Sequence, residues 1–516
     1  MTEIELKFLL DEERAKSLRR NLKALPLNET GVSSRTLRGI YYDTPDHALK
    51  QAGIALRVRR EGRRWVQTVK AGGTITGGLM RTREVECAAP GGRLDLSLIP
   101  DAALQAEIGA VVDGAELGVV CETQMKRRAS TLTLESGARV ELAIDVGEIL
   151  AGEVAAPFQE AELELKAGEI DALYDLTAKL FPEGGLHLST LPKSARGYML
   201  AETGKAQAEI APRTARKVRL DPAMTSEIAA RDVLRECFEQ ISANVDAVLD
   251  STAAEGPHQL RVGLRRLRSA FGVFKPIVGH SELVRLSDEA KAIGAEVGAL
   301  RDLDVVIEDL IDPAEEEHPS EPGFRALRAA IDSRRSGVRG DLRATLGGAR
   351  VQAFQIDLAR FIETRGWLAA EDFDQTARLA MPVRAHADRA LAKRWKSVRR
   401  HARGIDHLTI DGRHELRKEL KKLRYTIEFL GPLYPEKKVA LFVKRLKMLQ
   451  TVFGDLNDLA MAEHMLCQPD SPAARNPAAQ RAVGWLLGSR AVRSEAAWSH
   501  AKELWRGLKR TGPFWG

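Results

Sequence analysis

The beginning of the chain carries three charged side chains at alternating positions, Glu3, Glu5 and Lys7, with apolar residues between them. Successive side chains of a β-strand point to opposite faces, so a strand here would have one charged face and one apolar face. Two carboxylates and an ammonium group are costly to bury unless charged partners satisfy them. The row would make sense if it faced the interior of a barrel that holds metal ions and a polyanion.

The elements that must position this row lie in the first two hundred residues. Charged and apolar residues also alternate at residues 55–59, 140–145 and 160–166, and residues 65–70 are the expected partner strand of 55–59. Residues 11–25 and 169–181 have helical spacing. One such strand alone would be read as a half-exposed sheet with a solvated face. Because many strands share the pattern, we expect an α+β fold, a closed antiparallel eight-stranded tunnel barrel with a charged interior and helices outside.

Two segments leave the inward face open. Residues 81–86 put two arginines and two glutamates on opposite faces, so only one pair can point inward. Residues 126–128 direct either Lys126 and Arg128 or Arg127 alone toward the interior, and the solvated-face interpretation stays open for both segments.

Several short signatures follow one another in order along residues 1–202. They are Glu3-x-Glu5-x-Lys7, Tyr41-Tyr42-Asp43-Thr44, Leu56-Arg57-x-Arg59, Lys70, Glu162-x-Glu164 and Lys193-Ser194-x-Arg196-Gly197-Tyr198. Together they resemble the CYTH family, the triphosphate tunnel metalloenzymes. The resemblance implies an eight-stranded tunnel in which triphosphate groups are hydrolysed or rearranged with Mg²⁺ or Mn²⁺.

The resemblance also implies roles for particular residues. The metal ligands would be Glu3, Glu5, Glu162, Glu164 and Asp145, with Glu141 as an alternative to Asp145. The substrate would be bound by Arg57, Arg59, Lys70, Arg196 and Arg128, and the catalytic residues would be Lys7 and Lys193. A triphosphate carries about four negative charges, which several Arg and Lys side chains can bind, Arg with two parallel hydrogen bonds. Carboxylates suit hard divalent cations, which bridge phosphate oxygens.

The rest of the chain differs in charge and in periodicity. Residues 1–202 contain 26 Lys and Arg against 30 Asp and Glu, whereas the remainder contains 52 against 42, so the basic excess lies in the second part. Such an excess favours a polyanion partner there. From Ser226 the apolar spacing is helical. We expect the tunnel domain at 1–202, a linker at 203–220, an all-α domain at 221–506 and a tail at 507–516.

An internal repeat runs through the helical part with a constant offset of 156 residues. The pairs are His258 and His414, Arg261 and Arg417, Arg265 and Lys421, Arg268 and Arg424, Pro276 and Pro432, Gly298 and Gly454, and Asp302 and Asp458. The first four members of each copy fall on one helical stripe, with apolar residues on the other side. One basic stripe alone is commonly a solvated face, but its recurrence favours a ligand surface.

The repeat resembles the CHAD family over about residues 221–506. This resemblance implies two pseudo-symmetric four-helix bundles that bind inorganic polyphosphate. The polyphosphate-binding residues would be His258, Arg261, Arg265, Arg268, His414, Arg417, Lys421 and Arg424. The copies differ where Arg301 corresponds to Asn457, which leaves equal binding by the two halves open. Nucleic acid is the rival ligand, but aromatic residues make up only 5% of the chain, and single-strand binders usually stack bases on aromatic rings.

The bulk properties exclude other classes of protein. No stretch of about 20 apolar residues occurs, so we expect no membrane span. The chain starts without a leader-like segment, and its four cysteines contain no CxxC pair, so we expect a cytoplasmic protein without structural zinc. We expect an inorganic triphosphatase that also binds polyphosphate. The alternatives are a hydrolase or cyclase acting on an organic or nucleoside triphosphate, and a non-catalytic polyphosphate-binding adaptor.

Overall fold

The computed structural model describes residues 2–369 and 372–515, excluding the side chains of residues 490–495. The chain forms two compact units, Met1–Ile210 with Gly347–Thr364, and Ala211–Leu346 with Arg365–Gly516. Within the described residues, no helix combines the length and apolar character needed to cross a membrane.

The first unit is built around a closed antiparallel barrel. Its strands are β1 (Thr2–Leu9), β2 (Asn28–Asp43), β3 (Ile54–Glu61), β4 (Arg64–Thr76), β5 (Leu79–Ala88), β6 (Gly118–Thr133), β7 (Arg139–Ala151), β8 (Val154–Ala167) and the short β9 (His187–Leu188). Their order is β5-β4-β3-β2-β6-β7-β8-β1, and pairing of β1 with β5 closes the ring. The predicted eight-stranded barrel is confirmed, and β9 adds a short pairing on β1.

Helices cover the apolar outer faces of the strands. The helices that belong to this first part of the chain are α1 (Glu12–Ala24), α2 (Ala48–Gln51), α3 (Ala102–Val112), α4 (Asp171–Leu180) and α5 (Lys193–Thr203). The outer residues of β1, Leu6 and Phe8, are fully buried, and the Phe8 ring lies 5.3 Å from that of Phe181 beyond the end of α4. Burying this apolar face leaves the charged residues of β1 facing the interior.

The second half of the chain is helical, as predicted. Its helices are α6 (Ser226–Asp250), α7 (Glu255–Val278), α8 (Ser281–Val305), α9 (Asp312–Glu317), α10 (Pro322–Leu346), α11 (Ala349–Glu363), α12 (Phe373–Ala380), α13 (Val383–His401), α14 (Ile410–Leu430), α15 (Glu436–Leu466) and α16 (Pro477–Thr511). Helices α6, α7, α8 and α10 pack together, and α13 to α16 pack in series. The two repeat copies meet because α7 packs directly on α14.

Helix α11 is an exception, because it belongs to the first unit although its sequence lies within the helical half. Gln352 donates a hydrogen bond to the carbonyl of Phe181 and accepts one from the Leu186 N–H at 2.8 Å. Arg360 pairs with Asp171 at 2.7 Å and with Asp175 at 2.8 Å on α4. The helix thus fixes both ends of the turn that leads from α4 to β9.

Candidate functional site

The barrel encloses a cavity of about 210 Å³ with a highly charged wall. Its acidic members are Glu3, Glu5, Glu84, Glu86, Glu141, Glu162 and Glu164, and its basic members are Lys7, Arg57, Arg59, Lys70, Arg127, Lys166 and Lys193. The two sets are equal in number, so the wall carries no net charge when all of them are ionised. The predicted inward orientation of the charged row on β1 is what the structure shows.

The carboxylates and the guanidinium groups of the wall occupy different arcs of the barrel, whereas Lys7 on β1 and Lys166 on β8 lie among the carboxylates. The carboxylates come from β7, β8, β1 and β5, which are consecutive in the closed sheet. Arg57 and Arg59 on β3, Lys70 on β4 and Arg127 on β6 lie on the other arc. A ligand in the cavity therefore meets carboxylates on one side and guanidinium groups on the other.

Three carboxylates form a row across neighbouring strands of the acidic arc. Glu5 on β1 and Glu141 on β7 both stand directly opposite Glu164 on β8. Like charges opposite one another in a sheet destabilise it. Burial raises the pKa of both Glu5 and Glu164. Lys7 lies 3.0 Å from Glu5 and Lys166 lies 2.6 Å from Glu164, so three adjacent carboxylates share two ammonium partners. The oxygen donors of this row fit a divalent cation such as Mg²⁺ or Mn²⁺, which would relieve the remaining repulsion.

A second acidic group, Asp145, Glu160 and Glu162, has ligand oxygens within 4.8 Å of one another. These carboxylates are already paired with cations. Arg127 contacts Asp145 through two hydrogen bonds of 2.7 and 2.6 Å, and Lys193 lies 2.8 Å from Asp145. Although the oxygen spacing would suit a metal ion, the nearby cations neutralise the group, so it fits a structural ion-pair network better.

Glu162 is the centre of this network. It is contacted by Lys7 and Arg127 and lies 2.9 Å from Lys193. Burial opposes its ionisation, but these three cations outweigh burial and hold the pKa of Glu162 well below its ordinary value. Burial likewise disfavours the charged forms of Lys7 and Lys193, yet the carboxylates raise the pKa of both amines. Lys7 and Lys193 are therefore cations at neutral pH.

Three of the predicted site residues lie off the cavity wall. Asp145 is completely buried behind Arg127, which argues against its predicted role as a metal ligand. Arg196, predicted to bind substrate, is buried and donates a 3.1 Å hydrogen bond to Glu160. Arg128 points away from the cavity and lies 3.5 Å from Glu29. Arg127 takes the inward position instead, because the register of β6 pairs it with Asp145.

The inward face of residues 81–86 is also clear in the structure. Glu84 and Glu86 line the cavity, whereas Arg83 pairs with Asp101 outside it. Arg81 lies 2.7 Å from Glu363 of α11. The glutamates thus extend the acidic arc onto β5, and the sequence alternation alone could not show this because either face was possible.

Arg57 occupies a position prepared by small and polar neighbours. Its guanidinium donates a 3.2 Å hydrogen bond to the hydroxyl of Thr68. A Cβ atom on Gly39 of β2 would come within 3.3 Å of the Arg57 side chain and within 2.8 Å of the Thr123 hydroxyl. The glycine therefore leaves the space through which Arg57 reaches the cavity.

Other signature residues hold the barrel together without reaching the cavity. The Tyr198 hydroxyl donates a 2.6 Å hydrogen bond to Asp43, which also accepts hydrogen bonds from the backbone N–H groups of Leu49 and Lys50. A Cβ on Gly197 would lie 2.1 Å from the sulfur of Cys121. These contacts dock α5 on the barrel, and α5 begins with Lys193.

In the second unit, the packing of α7 on α14 brings the two repeat stripes together. The carboxylate of Asp302 lies 2.6 Å from Arg261, and Asn457 accepts a 2.9 Å hydrogen bond from Arg417. Arg261 and Arg265 of α7 lower the pKa of Arg417, although burial contributes most. Arg261, Arg265, Arg417 and Lys421 therefore form a single group, which we call the basic cluster.

The outer members of the stripes differ in environment. Arg268 is exposed, whereas Arg424 lies 2.9 Å from Glu428. His258 is half-buried and His414 exposed, and burial together with neighbouring cations lowers the pKa of both imidazoles. The eight predicted residues thus comprise a central basic cluster flanked by less confined groups.

Comparison with known proteins agrees with this division. Residues 1–198 match the CYTH domain and residues 232–467 match the CHAD domain. The chain therefore belongs to the proteins in which a CYTH domain is followed by a CHAD domain.

Individual relatives cover parts of the chain. An inorganic triphosphatase of Haemophilus influenzae is 29% identical over 205 residues, which are 39% of this chain and 55% of that protein. The chain spans about half the length of the curated relatives it matches.

The crystal structure of the CHAD domain from Ricinus communis shares 27% identity and a TM-score of 0.49, covering 58% of this chain and 96% of that one. HpAC1 from Hippeastrum, an adenylyl cyclase candidate described as having a dominant triphosphatase activity, shares 17% identity and a TM-score of 0.27, covering 39% of this chain and 96% of that one.

Proposed function

We propose that the barrel hydrolyses inorganic triphosphate with a divalent cation, Mg²⁺ or Mn²⁺. The observation that carries this proposal is the separation of carboxylates and arginines onto opposite arcs of one closed cavity. Arginine forks suit phosphate oxygens, and carboxylates suit hard cations. The match to an inorganic triphosphatase over 205 residues supports the same substrate class.

The charge balance of the cavity supports the need for a metal. Seven acidic and seven basic side chains leave the wall without net charge, whereas the substrate brings about four negative charges. Glu3, Glu5, Glu164 and Glu141 are the residues that would hold the cation. When bound, the cation supplies positive charge to the phosphate oxygens and acidifies water.

The remaining residues bind and orient the phosphates. Arg57, Arg59 and Arg127 offer planar donors from one side, and Lys70 adds a point charge. Because the carboxylates around them raise their pKa, Lys7 and Lys193 would stabilise negative charge as ammonium groups and would not act as bases. We therefore propose that these two lysines contribute to catalysis by stabilising negative charge.

The lining favours inorganic triphosphate over an organic one. Among the described residues that line the cavity, Tyr41 supplies the aromatic surface, and charged groups dominate the rest. A nucleobase or thiamine ring would need apolar or aromatic surface to stack on. An organic triphosphate hydrolase or a cyclase is the second candidate, to which the likeness to HpAC1 adds no weight.

A substrate panel tests the proposal. Phosphate release is measured from triphosphate, ATP, thiamine triphosphate and long-chain polyphosphate, with Mg²⁺, with Mn²⁺ and with EDTA. We expect metal-dependent release that is fastest with triphosphate. Absence of metal-dependent release from every compound would refute the hydrolase and favour the adaptor, whereas faster release from ATP would favour the organic substrate class.

We further infer that the basic cluster binds inorganic polyphosphate. Four basic side chains from two packed helices converge there, and a linear phosphate chain presents adjacent negative charges to such a group. Simultaneous substitution of Arg261, Arg265, Arg417 and Lys421 by alanine should weaken polyphosphate binding at least about 100-fold. Substitution of the exposed Lys437 and Lys438 on α15 is the matched control. Equal loss in the control, or stronger binding of single-stranded RNA than of polyphosphate by the unmodified protein, would contradict the assignment.

A further inference from the structure

Lys421 and Arg265 are the least compensated members of the basic cluster. They occupy matched positions of the two repeats, and both side chains are half-buried between α7 and α14. Within the described part of the chain, no carboxylate forms an ion pair with either side chain, whereas Arg261 and Arg417 are oriented by Asp302 and Asn457. A buried lysine amine can lose its proton, whereas an arginine guanidinium stays charged.

Charged groups face Lys421 from each helix that contributes to the cluster. Arg265 and Arg261 act on it from α7 and Arg417 from its own helix, and each effect exceeds the opposing effect of Asp458 on α15. On the other side of α14, Arg394 of α13 acts on Glu419. Burial contributes most, and together with the three arginines it lowers the pKa of Lys421 to about 6.

We propose that Lys421 makes polyanion binding at the basic cluster proton-coupled, because its half-buried amine lies among arginines from two packed helices and takes up one proton from solvent when phosphate groups occupy the cluster. This inference rests on the proposed polyphosphate site and adds its regulation. A bound chain brings several negative charges next to three arginines, so the ammonium form gains the counter-charge that the protein itself does not provide.

Proton coupling also affects which ligands the cluster selects. A single orthophosphate cannot contact all four cationic positions, so it drives protonation of Lys421 less effectively than a chain of adjacent phosphates. Lys421 thereby favours long phosphate chains and makes their affinity depend on pH. Since proton uptake accompanies binding, affinity is highest at low pH and falls as pH rises above the value at which the free amine titrates.

The test is isothermal titration of the full-length protein with long-chain polyphosphate in EDTA, which prevents hydrolysis. At pH 7.5 to 8.5, titrations in HEPES and in Tris differ in heat by the protons taken up. His258 and His414 have lowered pKa values and contribute little to uptake in this range. We expect close to one proton per binding event and an affinity that weakens about tenfold per pH unit.

Lys421→Arg is the decisive variant, because the matched position already accommodates Arg265. It should bind with proton uptake near zero and with little change in affinity over this pH range. Lys422→Arg is the control, since Lys422 is exposed and pairs with Glu419, and it should keep the uptake of the unmodified protein. Lys421→Gln is a second variant, in case arginine does not fit at this position. It should also show no proton uptake, and it should bind polyphosphate more weakly at pH 7.

Each result is decisive. Equal uptake in the unmodified protein and in both Lys421 variants, or uptake near zero in the unmodified protein that still binds, would overturn the proton coupling while leaving the polyphosphate site intact. Failure of the unmodified protein to bind polyphosphate at any pH would overturn the proposed site and the coupling with it. Loss of uptake in both Lys421 variants but not in Lys422→Arg would support the proposal.

Discussion

The tunnel and the basic cluster both concentrate cations, but they treat the charge in opposite ways. In the tunnel, Lys193 is surrounded by Asp145, Glu160 and Glu162, which raise its pKa although burial acts in the opposite direction. In the basic cluster, Lys421 is surrounded by arginines, and its pKa falls to about 6. The same side chain is thus a permanent cation in one unit and a titrating amine in the other.

This difference indicates how each unit would use its proposed ligand. The tunnel provides its own counter-charge, so its geometry is set before any substrate arrives, as catalysis by preorganised charge requires. Among the described residues, the basic cluster leaves Arg265 and Lys421 without an ion-paired carboxylate, so a polyanion bound there would also stabilise the fold. Specific substitutions can test each half of this contrast.

The largest effect is expected from Glu162→Gln, which removes the central charge of the tunnel network. Loss of one partner of a buried ion pair costs about 3–5 kcal/mol of folding free energy. Hydrogen exchange of the β1 and β8 amides should accelerate accordingly, whereas the exposed Glu13→Gln on α1 should change nothing. Unchanged hydrogen exchange in both variants would contradict the conclusion that the charge of Glu162 and its cation partners stabilise each other.

The same variant should also change the dependence of stability on pH. Because the folded-state pKa of Glu162 is depressed, its stabilising contribution is complete above about pH 4.3 and is lost as pH falls through the folded-state value. Protection of β1 and β8 should therefore decline on acidification in the unmodified protein. Glu162→Gln should show a flatter acid dependence, and an identical decline would assign the effect to other groups.

The next effect concerns the acidic row. Glu5→Gln removes a charge that we assign to metal binding, so turnover of triphosphate should fall about 100-fold, equivalent to about 2.7 kcal/mol. Phosphate release measured against Mg²⁺ concentration should show a weakened metal dependence. Glu107→Gln, exposed on α3, is the control. Normal turnover with an unchanged metal requirement would remove Glu5 from the site.

A smaller effect distinguishes the two repeat copies. Arg261 forms an ion pair with Asp302, whereas Arg417 hydrogen-bonds to the neutral amide of Asn457. Asp458 acts on Arg417 without an ion pair, so less of the Arg417 charge is compensated directly and more remains for a ligand. Arg417→Ala should weaken polyphosphate binding about tenfold and Arg261→Ala about threefold, corresponding to about 1.4 and 0.6 kcal/mol. Binding titrations at fixed salt and pH measure both. The reverse order would show that the orienting partner does not decide the contribution.

The smallest effect is expected at α11. Gln352→Ala leaves the Leu186 N–H and the Phe181 carbonyl without their partner, at a cost of about 1 kcal/mol. Hydrogen exchange of residues 181–188 should increase, and Ala353→Ser on the exposed side of the same helix should have no effect. Unaltered exchange in the glutamine variant would show that α11 does not hold this turn.

Particular residues show how far sequence reasoning reaches. Alternation on β1 predicted the inward row correctly, because a strand that buries Leu6 and Phe8 must turn Glu5 and Lys7 to the other side. The choice between Arg127 and Arg128 could not be made this way, since the pairing of β6 with β7 decides it. The place of α11 in the first unit was equally hidden, because its contacts join residues more than 160 positions apart.

The amino-acid sequence by itself determined the two domains, the closed barrel, most of the cavity residues and the repeat of basic stripes, because these depend on periodicity and on residue type. Only the tertiary structure decided which charges are compensated. Asp145 and Lys421 are both single charged residues in the sequence, yet one is neutralised by Arg127 and Lys193 and the other is left beside arginines. The physical reason is that charge compensation depends on distance in space and on burial, which strand register and helix packing set.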